Sequence, residues 1–236
     1  MIIRKEVFTM KNQPSPCAAI LTGDIVRSSS LPPDRRIDLF QSLHDLSALI
    51  KRQYPEDVRC DLAKFRGDGW QLLVDHPQRS LEVSLFIRTY IRSAFKSEKL
   101  DTRVAIGIGS VEFVPENNIT EGFGVAFTES GKKLDQLKQY RMGIAIATQN
   151  GKRYTRLFDA LIASYDALIT SWTALQCQAV HLSLQGLTQA EIGRKWQPKP
   201  IEQVTVNGHL AAANWNLIKD GISMFETEIA RIIEEG

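Results

Sequence analysis

The sequence has few of the residues that mark disulfide-rich or metal-stabilised proteins. Its 236 residues include only three cysteines and four histidines. The cysteines do not form a CxxC pair, and the histidines lack metal-ligand spacing, which argues against a structural zinc site. We therefore predict that Cys17, Cys60 and Cys177 are buried or free thiols of a protein from a reducing compartment.

A strong charge excess and a long apolar run are also missing. The net charge of +2 is too small to indicate nucleic acid or an anionic membrane as a partner. No apolar run approaches the roughly 20 residues of a membrane span, and the N-terminus lacks the apolar stretch of a secretory signal. We expect a cytoplasmic protein with no membrane partner. Residues 1–16 are predicted to form a flexible arm, with Met1 or Met10 as the start.

The composition that remains is that of a globular protein, with 43% hydrophobic and 24% charged residues. Over residues 17–150, short apolar runs alternate with helical periodicity and predict the order β-α-β-β-α-β-α-β. Gly67-Asp68-Gly69 between two strand-like runs predicts a hairpin. The first helix is predicted from about Asp34 to Gln53, and its apolar face consists of Ile37, Phe40, Leu43, Leu46 and Ile50. This order predicts one sheet with helices packed on one face.

The pattern becomes wholly helical after residue 150. We predict a connecting helix over 151–175 and a helical domain over 176–236. Thr188 and Glu191 have the spacing of a capping box at a helix start. Ile192 and Trp196 are predicted to face inward from this helix. A second helix after the prolines is supported by Ile201, Val204 or Val206, and Leu210.

Two aspartates carry most of the functional information. Asp24 follows the first strand, and Asp68 lies in the predicted hairpin. If these strands are neighbours, both carboxylates lie at one edge of the sheet, where oxygen donors can bind Mg²⁺ or Mn²⁺. Such ions hold nucleoside triphosphates and stabilise the attacking and leaving oxygens. The alternative is that Asp24 starts a loop and Asp68 serves only the turn.

The surrounding motifs resemble those of a known group of proteins. GDIVRSS, KFRGDGWQ and RVAIGIG resemble the nucleotide-binding palm of class III nucleotidyl cyclases. LTGDIVRSS, RGDGWQ, IGIGSVE, GFGVAFTESGKKLDQLK and LTQAEIGRKW resemble the SatD family in their order, over about Ala18 to Trp215. The resemblance implies an α+β chain with a ferredoxin-like, class III cyclase-like palm over 17–150. An all-α helix-turn-helix domain over 176–236 follows it.

The resemblance assigns roles to residues of the palm. Asp24 and Asp68 match metal ligands for Mg²⁺ or Mn²⁺, with the Ile25 carbonyl as a third. Lys64 matches a lysine that reads the base, and Arg66 lies on the same strand face; the alternative for both is a solvated face. A phosphate site is predicted after the first strand, at Arg27, Ser28, Ser29 and Ser30, where the alternative is a serine-rich turn.

The chain also departs from active cyclases. Ala126 and Ser130 or Gly131 stand where the asparagine and arginine of the transition state are expected, and Lys132 or Lys133 would replace them imperfectly. Gly69 stands where we expect an acidic residue. The expectation is a site that binds a metal-nucleotide and turns it over slowly or not at all, which leaves enzyme activity open.

The helical domain resembles sigma-region-4-like and LuxR-like DNA readers, which implies DNA as a partner. The predicted contact residues are Arg194, Lys195, Lys199, Gln203, Thr205, Asn207 and His209. From residue 176 onward there are five basic and seven acidic residues, which is the wrong balance for phosphate contacts. A dimerisation or lid domain is the alternative.

Both resemblances imply a homodimer, with Trp172, Phe225 and Ile229 to Ile233 as interface or core material. Three hypotheses follow from these features. The first is a DNA-binding transcriptional regulator with a metal-nucleotide as its signal. The second is an active nucleotidyl cyclase or related two-metal nucleotidyltransferase with a regulatory C-terminal domain. The third is a catalytically silent, dimeric protein-interaction module.

Overall fold

The protein is described from a computed structural model that covers residues 17–65, 67–115 and 118–235. The predicted N-terminal arm and Arg66 lie outside the described residues. The strands are β1 Cys17–Val26, β2 Ala63–Phe65, β3 Gly69–Val74, β4 Asp101–Phe113, β5 Phe123–Gly124 and β6 Met142–Ile146. The helices are α1 Pro33–Gln53, α2 Ser80–Ala94, α3 Val125–Gln136, α4 Thr155–Ser171, α5 Ala174–Leu184, α6 Gln189–Lys195, α7 Gln203–Ala212 and α8 Trp215–Glu234. The predicted order is confirmed, with β5 as an addition.

The sheet is built around β1, which pairs antiparallel with β3 on one side and with β4 on the other. β2 and β3 form the predicted hairpin, and β6 runs parallel to β4. The two-residue β5 pairs with the far end of β4. In this register Asp24 of β1 lies between Gly69 of β3 and Arg103 of β4. The neighbouring-strand assumption behind the two-aspartate hypothesis is therefore correct.

Helices cover both faces of the sheet, so the prediction of helices on one face is wrong. One face packs against α1 and α2 through residues such as Leu21 and Ile106. The opposite face, which includes Ile20, packs against α3. Gly107 and Gly109 of β4 allow this second contact because α3 lies directly on their backbone. The two glycines of the RVAIGIG motif thus serve helix docking.

The buried face of α1 differs from the predicted one at its start. Leu39, Leu43 and Ile50 are buried, whereas Ile37 is 68% exposed and Phe40 is 38% exposed. Residues three and four apart define two overlapping stripes on a helix, and packing on the sheet selects the stripe that contains Leu39. Ile37 and Phe40 are left on the surface beside the β2–β3 hairpin.

The C-terminal helices pack directly on the rest of the chain. α5 lies against α2, and one continuous apolar core joins them. The side chains proposed as interface or core material belong to this core: Trp172 donates a hydrogen bond to the Ala213 carbonyl (3.0 Å), and Phe225 packs edge-on against Phe158. Ile229 is also fully buried. The predicted domain limits at residues 150 and 175 stay predictions.

Replacing Gly107 with alanine is expected to destabilise the fold by about 1 to 3 kcal/mol. A Cβ at this position would lie 2.3 Å from the Ala126 carbonyl oxygen and 2.5 Å from the Ser130 nitrogen. Both contacts are with backbone, so α3 must move away from the sheet. Chemical denaturation measures the loss. Gly131→Ala is the control, because its Cβ meets no atom within 4 Å and should be neutral or stabilising. Equal effects of both substitutions would contradict the packing argument.

Candidate active site

Asp24 lies near the end of β1 and is bound by an arginine. Arg103 Nε donates to one carboxylate oxygen at 2.9 Å, and Arg103 Nη2 donates to the other. Arg103 Nη1 also donates to the Leu137 carbonyl at 2.9 Å, at the end of α3. The hydrogen bonds that Arg103 donates to Asp24 raise the pKa of the guanidinium. Asp24 is therefore held in a two-pronged ion pair on the sheet face that carries α3.

Asp68 lies in the hairpin between β2 and β3, directly beside the end of β1. Its backbone oxygen accepts a hydrogen bond from the Ile25 N–H at 3.2 Å. Its carboxylate accepts a hydrogen bond from the Ser28 hydroxyl. Gly67 has φ +73°, in the left-handed region that the tight turn requires. The hairpin thus fixes Asp68 against the chain that leaves β1, close to Asp24.

These donors do not fit a divalent metal as they stand. Carboxylate oxygens are the ligands that Mg²⁺ prefers, but both oxygens of Asp24 are already engaged by Arg103. Ile25, whose carbonyl was the predicted third ligand, is buried within the β1–β4 pairing. Within the described ranges, no three histidine, cysteine or acidic side chains gather around one point. For a metal ion to bind Asp24, Arg103 must first release the carboxylate.

A cavity of about 350 Å³ opens beside Asp68. It is lined by Ser28, Ser29, Arg36, Leu39, Phe40, Gly67 and Asp68. Ser28–Ser30 form a single 3₁₀ turn, and Arg27 precedes it in the left-handed conformation (φ 70°). Arg36 Nη2 donates to the Ser29 carbonyl at 2.9 Å and closes the turn. Two of the four predicted phosphate residues, Ser28 and Ser29, therefore line a cavity that also contains one guanidinium, one carboxylate and an apolar wall.

Lys64 is placed away from Asp24. It pairs in register with Trp70 and faces α1, on the opposite side of the sheet from the Asp24–Arg103 pair. Its ammonium lies 3.4 Å from the centre of the Phe40 ring, a cation–π contact. Lys64 lines a second cavity, of about 240 Å³, which shares Phe40 with the first one, and within one chain it does not meet Asp24.

The positions on α3 that match transition-state residues point into the protein. Ala126 and Ser130 are fully buried, and the Ser130 hydroxyl lies 2.8 Å from the hydroxyl of Thr22 on β1. Lys132 forms an ion pair with Glu129 (2.9 Å), and Lys133 forms one with Asp159 of α4 (2.6 Å). Gly131 has no side chain to contribute. None of these residues presents a free cation to the cavity.

The C-terminal helices show the predicted cap and most of the predicted inner face. The capping box between Thr188 and Glu191 is present at α6, and Ile192 and Trp196 are buried. Val206, not Val204, is the inward residue of α7: Val204 is 75% exposed. Among the predicted DNA contacts, Arg194, Lys195, Lys199, Gln203, Thr205 and Asn207 are exposed.

His209 is a correction to the predicted set of exposed DNA contacts. Its ring stacks on Trp196, with centroids 5.2 Å apart and planes 9° apart, and the residue is only partly exposed. The reason is that α7 packs across α6, so one end of α7 covers the aromatic side chain at the end of α6. His209 therefore serves the contact between the two helices.

Two arginines of the site were missed from the sequence. Arg103 belongs to the RVAIGIG motif and Arg36 to the first predicted helix, but neither is among the predicted site residues. The antiparallel pairing of β1 with β4 is the information that the sequence lacks, because it sets Arg103 opposite Asp24.

Two further features, a reactive cysteine and a membrane-spanning helix, find little support. Burial raises the pKa of the Cys17 and Cys177 thiols to about 11, so neither serves as a thiolate nucleophile at neutral pH. In the part of the chain that the structure describes, every helix is too short or too polar to cross a membrane.

Comparisons with known proteins found similarity among solved structures alone. The sequence matches no family model and no curated protein. Two structures titled as a bacterial light-regulated adenylyl cyclase are similar to the chain. The first is 16% identical, with a TM-score of 0.43, over 56% of this chain and 76% of that one. The second is 17% identical, with a TM-score of 0.40, over 58% of this chain and 44% of that one. At these TM-scores the overlap is partial, so the function is judged from the site's own residues.

Proposed function

We propose that this protein is a nucleotide-responsive regulator of the SatD type, whose palm binds a nucleoside triphosphate as a signal. The observation that carries the proposal is the cavity at the end of β1, where charged and apolar side chains lie together. Asp68 and Ser28, which are hydrogen-bonded to each other, line it with Arg36, and the Asp24–Arg103 pair lies at the same end of β1 on the opposite face of the sheet. A polar end with a cation and an adjoining apolar wall suits a ligand with phosphates at one end and a base at the other.

The cavity offers each part of such a ligand a different surface. Arg36 and the exposed Arg27 supply positive charge next to the serine turn, and guanidinium groups bind phosphate through paired hydrogen bonds. Leu39 and the partly exposed Phe40 ring form the apolar side. An aromatic face accepts any base by stacking, so these contacts favour a nucleotide without selecting which base it carries.

Binding without efficient turnover is favoured by the burial of α3. Stabilising the charge that develops in phosphoryl transfer needs a cation or a hydrogen-bond donor at the reacting group. Ala126 and Ser130 are enclosed in the sheet contact, and Lys133 is paired with Asp159. The residues at these positions therefore support a sensor better than an active cyclase, which is the second hypothesis.

Thermal unfolding with each nucleoside triphosphate, with and without Mg²⁺ or Mn²⁺, tests the proposal. A ligand at a hundred times its Kd adds about 2.7 kcal/mol, which raises the melting temperature by about 5 to 10 °C for this chain length. Asp68→Asn should abolish the shift, and Asp220→Asn, an exposed position of α8, should retain it. Product analysis of the same mixture should find the triphosphate unchanged, whereas a cyclic product would favour the enzyme. No shift with any nucleotide would refute nucleotide binding.

DNA is the proposed target of the regulator, bound by a homodimer. The features that favour it are the exposed basic side chains Arg194, Lys195 and Lys199 at the end of α6 and after it. The exposed polar residues of α7 lie next to them in the chain. A double substitution, Arg194→Ala with Lys195→Ala, should weaken duplex binding in a gel-shift assay. Lys219→Ala, an exposed lysine on α8, should leave it unchanged; unaltered binding by the double variant would contradict the assignment.

A further inference from the structure

Arg103 takes the position at Asp24 that a divalent cation would occupy. Two of its nitrogens bind the two carboxylate oxygens, and the third donates to the Leu137 carbonyl. Arg103 extends from β4, and its guanidinium is bonded to Asp24 of β1 and to the end of α3 at the same time. The pair is partly shielded, with the Asp24 side chain 22% exposed and that of Arg103 31% exposed. The negative charge of Asp24 is therefore balanced by the Arg103 guanidinium of the same chain.

We propose that Arg103 is a built-in counter-ion that excludes a free divalent cation from Asp24. This exclusion goes beyond the proposed function and does not depend on it. Both oxygens of the Asp24 carboxylate are occupied by the chain's own guanidinium.

The exclusion has two physical causes. A divalent cation needs the oxygen lone pairs that Arg103 already uses, so binding requires that both charge-assisted hydrogen bonds break. A guanidinium is always charged at neutral pH, so it also repels a cation that approaches the same carboxylate. Asp68 keeps its negative charge, but its carboxylate already accepts a hydrogen bond from Ser28. The cation therefore faces competition at one aspartate and an already bonded oxygen at the other.

Mn²⁺ binding without any nucleotide tests the exclusion directly. The paramagnetic resonance signal of free Mn²⁺ disappears when the ion binds, which gives a readout independent of activity. The wild-type protein should leave the signal unchanged at protein and metal concentrations where Arg103→Gln removes it. The expected gain in affinity for Arg103→Gln is about tenfold or more, the usual weight of a charge-assisted pair. Adding Asp24→Asn to Arg103→Gln should abolish the binding.

Two further variants keep the test decisive. Arg36→Gln removes a cation from the neighbouring cavity without touching Asp24, so it should bind Mn²⁺ as weakly as the wild type. Arg103→Lys keeps a positive charge but cannot bond both oxygens in parallel, and should bind Mn²⁺ more tightly than the wild type even if the glutamine variant fails to fold.

Two results would overturn the proposal: equal Mn²⁺ affinity in the wild type and in Arg103→Gln, or no affinity in either substituted, folded protein. A chain that behaves as expected toward Mn²⁺ alone but ignores every nucleotide would refute the proposed function and leave the exclusion standing.

Discussion

Replacing Arg88 with methionine is expected to lower the free energy of unfolding by about 3 to 5 kcal/mol. Arg88 lies on α2, and its side chain is wholly buried. Its guanidinium donates to both carboxylate oxygens of Asp101 at 2.8 Å, to Asp166 of α4 at 2.5 Å, and to the Thr170 hydroxyl at 2.8 Å. One side chain thus ties the palm sheet to the first C-terminal helix.

The loss is large because two carboxylates stay behind without their cation. The Asp166 side chain is 4% exposed and that of Asp101 16% exposed, so water does not replace the guanidinium. Burial alone raises the pKa of Asp101, but the hydrogen bonds and charge of Arg88 outweigh it and hold that pKa below its usual range. Removing Arg88 takes these hydrogen bonds and this charge away and leaves a buried carboxylate unpaired. Loss of one partner of a buried ion pair is strongly destabilising because the other charge stays buried without compensation.

Urea unfolding at pH 7 measures the effect. Arg35→Met is the matched control, because Arg35 also contacts two carboxylates but at a more exposed position, and its loss should be far smaller. Adding Asp101→Asn and Asp166→Asn to the Arg88 variant should restore more than half of the loss. A loss below 1 kcal/mol for Arg88→Met would show that the Arg88 ion pairs contribute little to holding α4 against the sheet.

The sequence predicts the local features of this fold well, because they depend on neighbouring residues. The Asp-Gly hairpin, the extent of α1 and the capping box of Thr188 and Glu191 each follow from residues at most a few turns apart. The buried side of α1 does not: Leu39 and Ile37 both fit a helical stripe, and only the sheet beneath decides that Leu39 is buried. Hydrophobic periodicity indicates that a helix has a buried face, but it does not always identify the residues that form that face.

Long-range pairings account for what was missed at the site. The proximity of Asp24 and Asp68 follows once the first strand and the hairpin are assumed to be neighbours in the sheet, and the β1–β3 pairing confirms that assumption. Arg103 could not, since 79 residues separate it from Asp24 and only the β1–β4 register brings them together. The same holds for α3, whose position on the second face depends on Gly107 having no side chain. The sequence contains the glycines, but it does not show that α3 packs in the space that they leave on the sheet.

Acidification is expected to weaken the contact between α5 and α2 through His181. This side chain is buried between Phe86 (ring centroids 4.4 Å apart) and Tyr90 (5.4 Å) of α2, and its Nδ1 lies 3.5 Å from the Thr89 hydroxyl. Burial lowers the pKa of His181 from 6.5 to about 4, because the charged imidazolium loses its hydration there. Folded His181 is therefore neutral in a range where the unfolded chain takes up a proton.

The sign of the effect follows from this difference. Between pH 6.5 and about 4 the unfolded state binds more protons than the folded state, so the free energy of unfolding falls as the pH falls. The stabilisation is fully present above pH 6.5 and is lost on acidification through about pH 4. At about 1.4 kcal/mol for each pH unit, the loss from this one residue approaches 3 kcal/mol.

Urea unfolding of the wild type and of His181→Gln at pH values from 7.5 to 4 isolates the contribution. Glutamine is neutral throughout, so the stability difference between the two proteins should shift by about 3 kcal/mol over this range, with the wild type losing more. His44→Gln, at an 80% exposed position, should follow the wild-type curve. Parallel curves for the wild type and His181→Gln would instead mean that the imidazole reaches water in the folded state, and that α5 rests on α2 less tightly than the ring contacts indicate.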